Sequence, residues 1–199
     1  MPVSASDELT DADPPHFFQH FLVSSPRNEE KNALSEAYWV LEEVAGLDNP
    51  SITHLNVPGL SLLHGTLRNE LSFAKAEEIG KNCQYCMKII PLERYVRFDE
   101  EDLTQWFQQN AHRIQPKDRW RITVKKRHSK VKTRPLTLAM ASALGQVGMV
   151  DLKHPDLTWQ VEIIGGHVGL ALLRPDQLFQ TTIPDKAPNP TSVEDEFDG

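Results

Sequence analysis

The sequence predicts a mixed α/β (α+β) protein in which two folded units follow one another between two tails. Apolar residues recur with helical spacing in some segments and alternate as in half-buried strands in others. These two patterns are interspersed along the chain, and both ends are polar and rich in proline or acidic residues. We therefore predict a disordered tail at 1–15, a first unit at 16–98, a second unit at 99–180 and an acidic disordered tail at 181–199.

The composition is typical of a globular protein without a membrane span. The chain has 199 residues, of which 39% are hydrophobic and 25% are charged, as in ordinary soluble domains. No apolar run approaches the ~18 residues that are needed to cross a bilayer. The polar, acidic start lacks the basic and apolar regions of a signal peptide, and two cysteines provide no disulfide framework. We therefore expect a cytoplasmic protein.

The elements of the first unit follow the order strand, helix, strand, strand, helix, strand. Leu34, Ala37 and Leu41 share one helical face in a segment that Gly46 ends. Pro58-Gly59 provides a turn between two apolar strands. The predicted bounds are 20–25, 52–57, 60–65 and 86–98 for the strands and 28–45 and 70–80 for the helices. This order is that of the ferredoxin-like arrangement.

The second unit combines two helices with three strands. Its first helix has acids in the first turn, where the helix dipole favours them, and it ends at Pro116. Gly165-Gly166 is a two-residue hairpin signal between two strands of alternating apolar residues. The predicted bounds are 99–114 and 135–145 for the helices and 119–124, 156–164 and 167–173 for the strands. The second unit is therefore again mixed α/β.

No motif in the sequence identifies a catalytic, cofactor or metal site. Cys83 and Cys86 form a lone CxxC, whereas a structural zinc site usually has four ligands, so we interpret them as packing residues. His16 and His20 lie four apart in a predicted strand, where they would not share a helix face. The chain lacks the glycine-rich turns that hold coenzyme A, dinucleotides or nucleotide phosphates, and it lacks the deaminase zinc motif. We therefore predict a non-catalytic protein with no resident cofactor or metal.

Residues 117–134 concentrate the positive charge of an acidic protein. The net charge is −7, yet this window holds nine Lys or Arg and one acid, so it carries +8 while the remainder carries −15. A charge run is usually a solvated face. Here the run lies on an alternating strand and leads into a helix start, whose backbone N–H groups can join a phosphate site. These features favour binding of a polyanion.

The window is more typical of an RNA surface than of a DNA-binding motif. The chain has no convincing helix-turn-helix, zinc finger or basic zipper for the DNA major groove, and it lacks the aromatic strand of an RRM. A sheet-and-loop surface suits a shaped or single-stranded RNA better, so we predict no DNA partner. We predict that seven basic residues bind RNA phosphates: Arg121, Lys125, Lys126, Arg127, Lys130, Lys132 and Arg134.

The order of motifs in the second unit resembles that of a THUMP domain. The strand RWRITV ends in a basic cluster, the helix PLTLAMASALG follows, and then come a V-D-L-x-x-P-D segment and a V-E-I strand. The matching positions are Lys125, Lys126 and Arg127; Val150, Asp151 and Leu152; Pro155 and Asp156; and Val161, Glu162 and Ile163. Residues 89–103 resemble the junction between a ferredoxin-like N-terminal domain and a THUMP domain. The resemblance covers about residues 16–180.

This resemblance implies a role in transfer RNA modification. THUMP domains dock the acceptor arm and the unpaired 3′ end of transfer RNA. Because only a tail is expected after the THUMP-like part, the chain is similar to the stand-alone branch of the family, the adaptors that assist acetylation of cytidine in transfer RNA. The implied partners are transfer RNA and a separate RNA cytidine acetyltransferase, with no membrane partner. A general non-catalytic RNA-binding protein in RNA processing is the alternative, and an enzyme with an unrecognised site is less favoured.

Overall fold

The structure, a computed structural model, describes residues 18–74 and 76–181. The predicted tail at 1–15 lies outside the described residues, as does the predicted acidic tail apart from Thr181. The described part of the chain contains two five-stranded sheets and four α-helices. None of these helices is long and apolar enough to cross a membrane. The predicted mixed α/β fold class is confirmed.

The first sheet has the predicted ferredoxin-like order of elements. Its strands and helices are β1 (His20–Ser24), α1 (Glu30–Ala45), β2 (Leu47–His54), β3 (Leu60–Leu67), α2 (Glu77–Gly80) and β4 (Lys88–Leu92). The strands are arranged β4-β1-β3-β2, and all neighbours are antiparallel. This βαββαβ sequence of elements is the one that the sequence predicted.

The second sheet is mixed and carries its helices on one face. Its elements are β5 (Arg94–Arg97), α3 (Glu100–Asn110), β6 (Arg119–Arg127), α4 (Thr133–Leu144), β7 (Met149–Val150), β8 (Leu157–Ile164) and β9 (His167–Leu173). The strand order is β5-β9-β8-β6-β7, and β6 runs parallel to both β7 and β8. The start of α3 is fixed by Asp99, whose Oδ1 accepts hydrogen bonds from the backbone N–H groups of Glu101 and Asp102 at 2.9 and 3.0 Å.

The helix predicted at 70–80 is mostly not helical. Only Glu77–Gly80 forms a helical turn, because the preceding segment is bonded to another part of the chain. The N–H of Phe73 donates to the carbonyl of Asp176 at 2.6 Å, and Ser72 Oγ donates to the Asp176 carboxylate at 2.7 Å. Because these donors are bonded to Asp176, the segment does not continue as a helix. The apolar spacing of 70–80 therefore reflects separate burial of Leu71, Phe73 and Ala76.

The strand predicted at 86–98 is divided between the two sheets. Strand β4 pairs with β1, whereas β5 pairs with β9, so the chain crosses between sheets at Glu93. The Glu93 carboxylate accepts two hydrogen bonds from Arg113, at 2.8 and 3.0 Å, and one from the N–H of Leu172 at 3.1 Å. A final strand, β10 (Phe179–Gln180), returns to the first sheet beside β4. Sheet membership therefore does not follow the division predicted between residues 98 and 99.

The two sheets pack against each other, with helices on their outer faces. Ile164, Ala171 and Leu173 of the second sheet belong to the same buried apolar cluster as β1, β3 and α1. Trp159 and Val161 face the other way and pack with residues of α3 and α4. The sheets are in close contact at Gly169, where an added Cβ would lie 2.5 Å from Leu92 Cδ1. The layers are therefore helix, sheet, sheet and helices.

Candidate nucleic-acid interface

Strand β6 divides the predicted basic residues between two surfaces. Trp120 is buried in the helix-facing core, so Arg121, Lys125 and Arg127 project from the opposite face, toward the first sheet. In the parallel register, Lys125 lies beside Glu162 and Arg127 lies beside Ile164. Since Ile164 belongs to the core shared with the first sheet, this face of β6 continues the interface between the sheets as a polar margin.

Lys88, at the start of β4, adds a cation from the first sheet to this margin. Burial lowers the pKa of Lys88, Glu162 raises it, and the nearby charges of Lys125, Arg127 and Arg121 lower it. Lys88 therefore lies close enough to interact electrostatically with the three β6 cations, although Lys125 is 37 positions later in the sequence. We call these four side chains (Lys88, Arg121, Lys125 and Arg127) the cationic row. The predicted site did not include Lys88, and its only local signal is a lysine within an otherwise apolar strand.

A buried carboxylate lies against the cationic row. Glu162 is 1% exposed, and its Oε1 accepts a hydrogen bond from Gln160 Nε2 at 2.6 Å. Among the described residues, its Oε2 has no hydrogen-bond partner. Burial raises the pKa of Glu162, while the charges of Arg127, Lys88 and Lys125 and the Gln160 hydrogen bond lower it. One carboxylate therefore offsets only part of the positive charge that converges here.

The remaining predicted residues lie on the helix side of β6, in the loop that follows or at the start of α4. Lys126 points away from the cationic row, and its Nζ donates to the carbonyl of Val131 at 3.4 Å. Lys130, Lys132 and Arg134 are exposed. Helix α4 begins at Thr133, two residues before the predicted start, and no side chain caps its N-terminus. The seven predicted residues therefore form two neighbouring groups instead of one continuous surface.

The V-D-L-x-x-P-D segment organises the start of β6. Asp156 accepts two hydrogen bonds from the Arg119 guanidinium, at 3.0 and 2.8 Å, and one from the Arg119 N–H at 3.0 Å. These bonds lower the pKa of Asp156 to about 2. Asp151 accepts from the backbone N–H groups of Lys153 and His154, and Arg121 Nη1 donates to the Leu152 carbonyl at 3.2 Å. The segment thus neutralises Arg119 and restrains Arg121.

The cysteine pair occupies an apolar position and is held as a packed loop. Cys83 and Cys86 are 8% and 0% exposed, and Glu36 accepts hydrogen bonds from the backbone N–H groups of Gln84, Tyr85 and Cys86. Burial, with a smaller effect of Glu36, raises the pKa of Cys83 to about 11. The pKa of Cys86 is also raised, mainly by burial. Both thiols are therefore protonated at neutral pH, unlike reactive thiolates.

The histidine of the predicted first strand pairs across the sheet. His20 Nδ1 lies 2.8 Å from His64 Nδ1, and His64 Nε2 lies 2.8 Å from Thr53 Oγ1. Burial lowers the pKa of both histidines, and for His20 the nearby His64 lowers it further. Across 18–74 and 76–181, no group of three or more His, Cys, Asp or Glu side chains is arranged to hold a metal ion.

Comparison with known proteins finds similarity at the level of the fold. No family model matches the sequence, and no curated protein matches it. Among solved structures, PH1313 from Pyrococcus horikoshii Ot3 superimposes with a TM-score of 0.52 at 12% identity, covering 82% of this chain and 55% of that protein. The likeness to PH1313 supports the mixed α/β fold with two sheets described above.

Two further structures give slightly lower scores. TrmN from Thermus thermophilus has a TM-score of 0.49 at 14% identity, covering 78% of this chain and 46% of TrmN. A 4-thiouridine synthetase, solved as an RNA complex with bound ATP, has a TM-score of 0.49 at 11% identity, covering 82% of this chain and 42% of the synthetase. The chain therefore spans about half the length of the proteins that it resembles in fold.

Proposed function

We propose that this protein binds RNA through the cationic row and the neighbouring basic loop. The observation that carries the proposal is the convergence of Lys88, Arg121, Lys125 and Arg127 from two sheets onto one margin, in a chain that is otherwise strongly acidic. Cations that repel one another at short range are stabilised by an anion placed between them. A phosphate backbone provides a row of such anions.

The shape of the margin favours RNA over the DNA major groove. The cations lie on a strand and a loop, and the helix α4 packs its apolar side into the core. Among residues 18–74 and 76–181, the basic surface is therefore formed mainly by a strand and a loop, and of the predicted cations Arg134 lies on a helix, in the first turn of α4. RNA helices are recognised mainly through shape, phosphates and unpaired nucleotides. The THUMP resemblance adds transfer RNA, with its acceptor arm and unpaired 3′ end, as the substrate class.

The finer proposal is that the protein is a non-catalytic adaptor. It would deliver transfer RNA to a separate RNA cytidine acetyltransferase, as the resemblance to the stand-alone THUMP family implies. Holding the RNA away from the reacting base converts a loose encounter into a fixed geometry, which accelerates a reaction without supplying a catalytic group. The protonated, buried state of Cys83 and Cys86 agrees with a protein in which these thiols perform no chemistry.

The RNA-binding proposal is tested by measuring the affinity of the full chain for a transfer RNA transcript and for a DNA duplex of equal charge over a range of KCl concentrations. If about four phosphates of an unpaired strand are neutralised, log Kd should change with log salt with a slope of about 3. Transfer RNA should bind more tightly than the duplex. Absence of salt-dependent binding to transfer RNA would refute the proposal.

The adaptor proposal needs a separate experiment. Transfer RNA and acetyl-coenzyme A are incubated with this protein, with the acetyltransferase, and with both, and acetylated cytidine is measured. We expect no product from this protein alone. When both proteins are present, the acetyltransferase should need a lower transfer RNA concentration to reach half its maximal rate than it needs alone. Product formed by this protein alone, or no effect on the acetyltransferase, would refute the adaptor role while leaving RNA binding intact.

A further inference from the structure

Two stacked rings lie beside the cationic row on the same face of the second sheet. The rings of Tyr95 and His167 are 5.5 Å apart between centroids and inclined by 12°, an offset stack. Tyr95 is partly buried and packs against the core of the first sheet, whereas His167 is exposed. The inner ring is therefore anchored, and the outer ring is presented to solvent.

Strand register places this stack in line with two arginines. Arg97, His167, Ile164 and Arg127 are cross-strand partners on β5, β9, β8 and β6, so their side chains leave the sheet on one side. His167 and Arg127 are separated by two strand spacings, about 10 Å. Arg97 is exposed on the strand next to His167. The outer ring thus lies between cations at a spacing that a nucleotide can bridge.

His167 has only one ring partner among the described residues, and that partner is Tyr95. The ring is exposed. The preceding turn is open as well, since no described atom outside the adjacent residues lies within 4 Å of where a Cβ on Gly165 or Gly166 would be. A planar ring that is supported from behind and open in front is the arrangement on which unpaired bases stack in RNA-binding proteins.

We propose that His167, supported by Tyr95, is a stacking platform for an unpaired nucleobase whose adjacent phosphates contact Arg127 and Lys125. This proposal rests on the proposed RNA-binding function and assigns to it a contact that recognises the base plane. Phosphate contacts alone hold paired and unpaired RNA alike. The platform therefore gives the surface a preference for RNA with an unpaired strand next to a helix.

The test compares two RNA hairpins of the same stem, one blunt and one with four unpaired nucleotides at its 3′ end. The full-length protein is measured as wild type, His167→Ala, His167→Phe and His54→Ala, the last being an exposed histidine on β2 as a matched control. Base stacking on a side-chain ring changes affinity by about 5- to 160-fold when the ring is removed. We expect His167→Ala to weaken binding of the tailed hairpin by at least about fivefold and to leave the blunt hairpin unchanged.

His167→Phe keeps a planar ring and should retain tail preference, and His54→Ala should bind as wild type. A tail that carries 2-aminopurine should show fluorescence quenching with wild type and with His167→Phe, and lose it with His167→Ala. Equal affinity of wild type and His167→Ala for the tailed hairpin would overturn the platform. So would loss of tail preference in His167→Phe. If the wild type shows no salt-dependent binding to either hairpin, the RNA-binding function itself fails.

Discussion

Replacing Lys125 and Arg127 with glutamine removes two positive charges from the cationic row while keeping a polar side chain at both positions. Both residues lie on the face of β6 that meets Lys88 and Glu162. The double variant K126Q/K130Q removes the same charge from the other side of the strand and from the loop, where Lys126 Nζ reaches the Val131 carbonyl. Comparison of these two variants separates the effect of position from that of net charge.

The expected loss follows from the number of phosphates that each cation neutralises. Each contact contributes about 0.7 to the slope of log affinity against log salt for an unpaired strand and about 0.9 for a duplex. Loss of two contacts lowers the slope by about 1.4 to 1.8, which corresponds to about 25- to 60-fold weaker binding at 0.1 M salt. Because the loop cations do not converge with Lys88, we expect a smaller loss for K126Q/K130Q.

Fluorescence anisotropy with labelled transfer RNA between 0.05 and about 0.4 M KCl covers the range in which this slope is measurable. Thermal unfolding of both variants establishes that they remain folded. Equal losses in the two variants would show that net charge, and not the geometry of the cationic row, determines affinity. An unchanged slope in folded K125Q/R127Q would exclude this face of β6 from the RNA surface.

Three further substitutions test the packing and electrostatics that hold the site. Burial raises the pKa of Glu162 above its ordinary 4.5, so the unfolding free energy should fall as pH rises through the folded pKa. Urea titrations at several pH values should show that Glu162→Gln lacks this fall, and the same dependence of unfolding free energy on pH in variant and wild type would contradict the prediction. Asp156 has a folded pKa of about 2 against an ordinary 3.8, so its ionised carboxylate stabilises the fold above pH 3.8 and this stabilisation is lost as the pH falls toward 2. In thermal melts, the melting temperature of Asp156→Asn should therefore fall less steeply with acidification than that of the wild type. Gly169→Ala should destabilise the protein by about 1–3 kcal/mol because of overpacking, since its Cβ would lie 2.5 Å from Leu92 Cδ1. The control is Gly166→Ala, whose Cβ enters open space, and equal melting temperatures for these two variants would contradict the overpacking argument.

Features set by neighbouring residues were predictable from the sequence. The acids after Asp99 and the side-chain cap that Asp99 provides both act within one helical turn, so α3 begins where it was predicted. Gly165-Gly166 joins β8 to β9 as a two-residue turn, and Gly165 has φ +58°, in the left-handed region that favours glycine. These structures depend on contacts between residues that are close in sequence.

Features set by distant contacts were not predictable in this way. Residues 86–98 form one apolar run, and nothing in its periodicity indicates that the chain changes sheets at Glu93. The change depends on Arg113, which lies 20 positions later and meets the Glu93 carboxylate at 2.8 Å. Likewise, the segment 70–76 has helical spacing but is bonded to Asp176, which is 104 positions away from Ser72.

The same distinction separates a binding site from a solvated charged face. On a solvated face, basic side chains spread into water, where their charges are screened and little energy is lost. Lys88 instead has a lowered pKa, because burial and the charges of Lys125, Arg127 and Arg121 outweigh the opposing effect of Glu162. Burial raises the pKa of the Glu162 carboxyl itself. The four neighbouring cations repel one another, and a bound anion would reduce this repulsion. Because Lys88 belongs to one sheet and Lys125 to the other, this property arises only when the two sheets pack together, and the basic window alone could not reveal it.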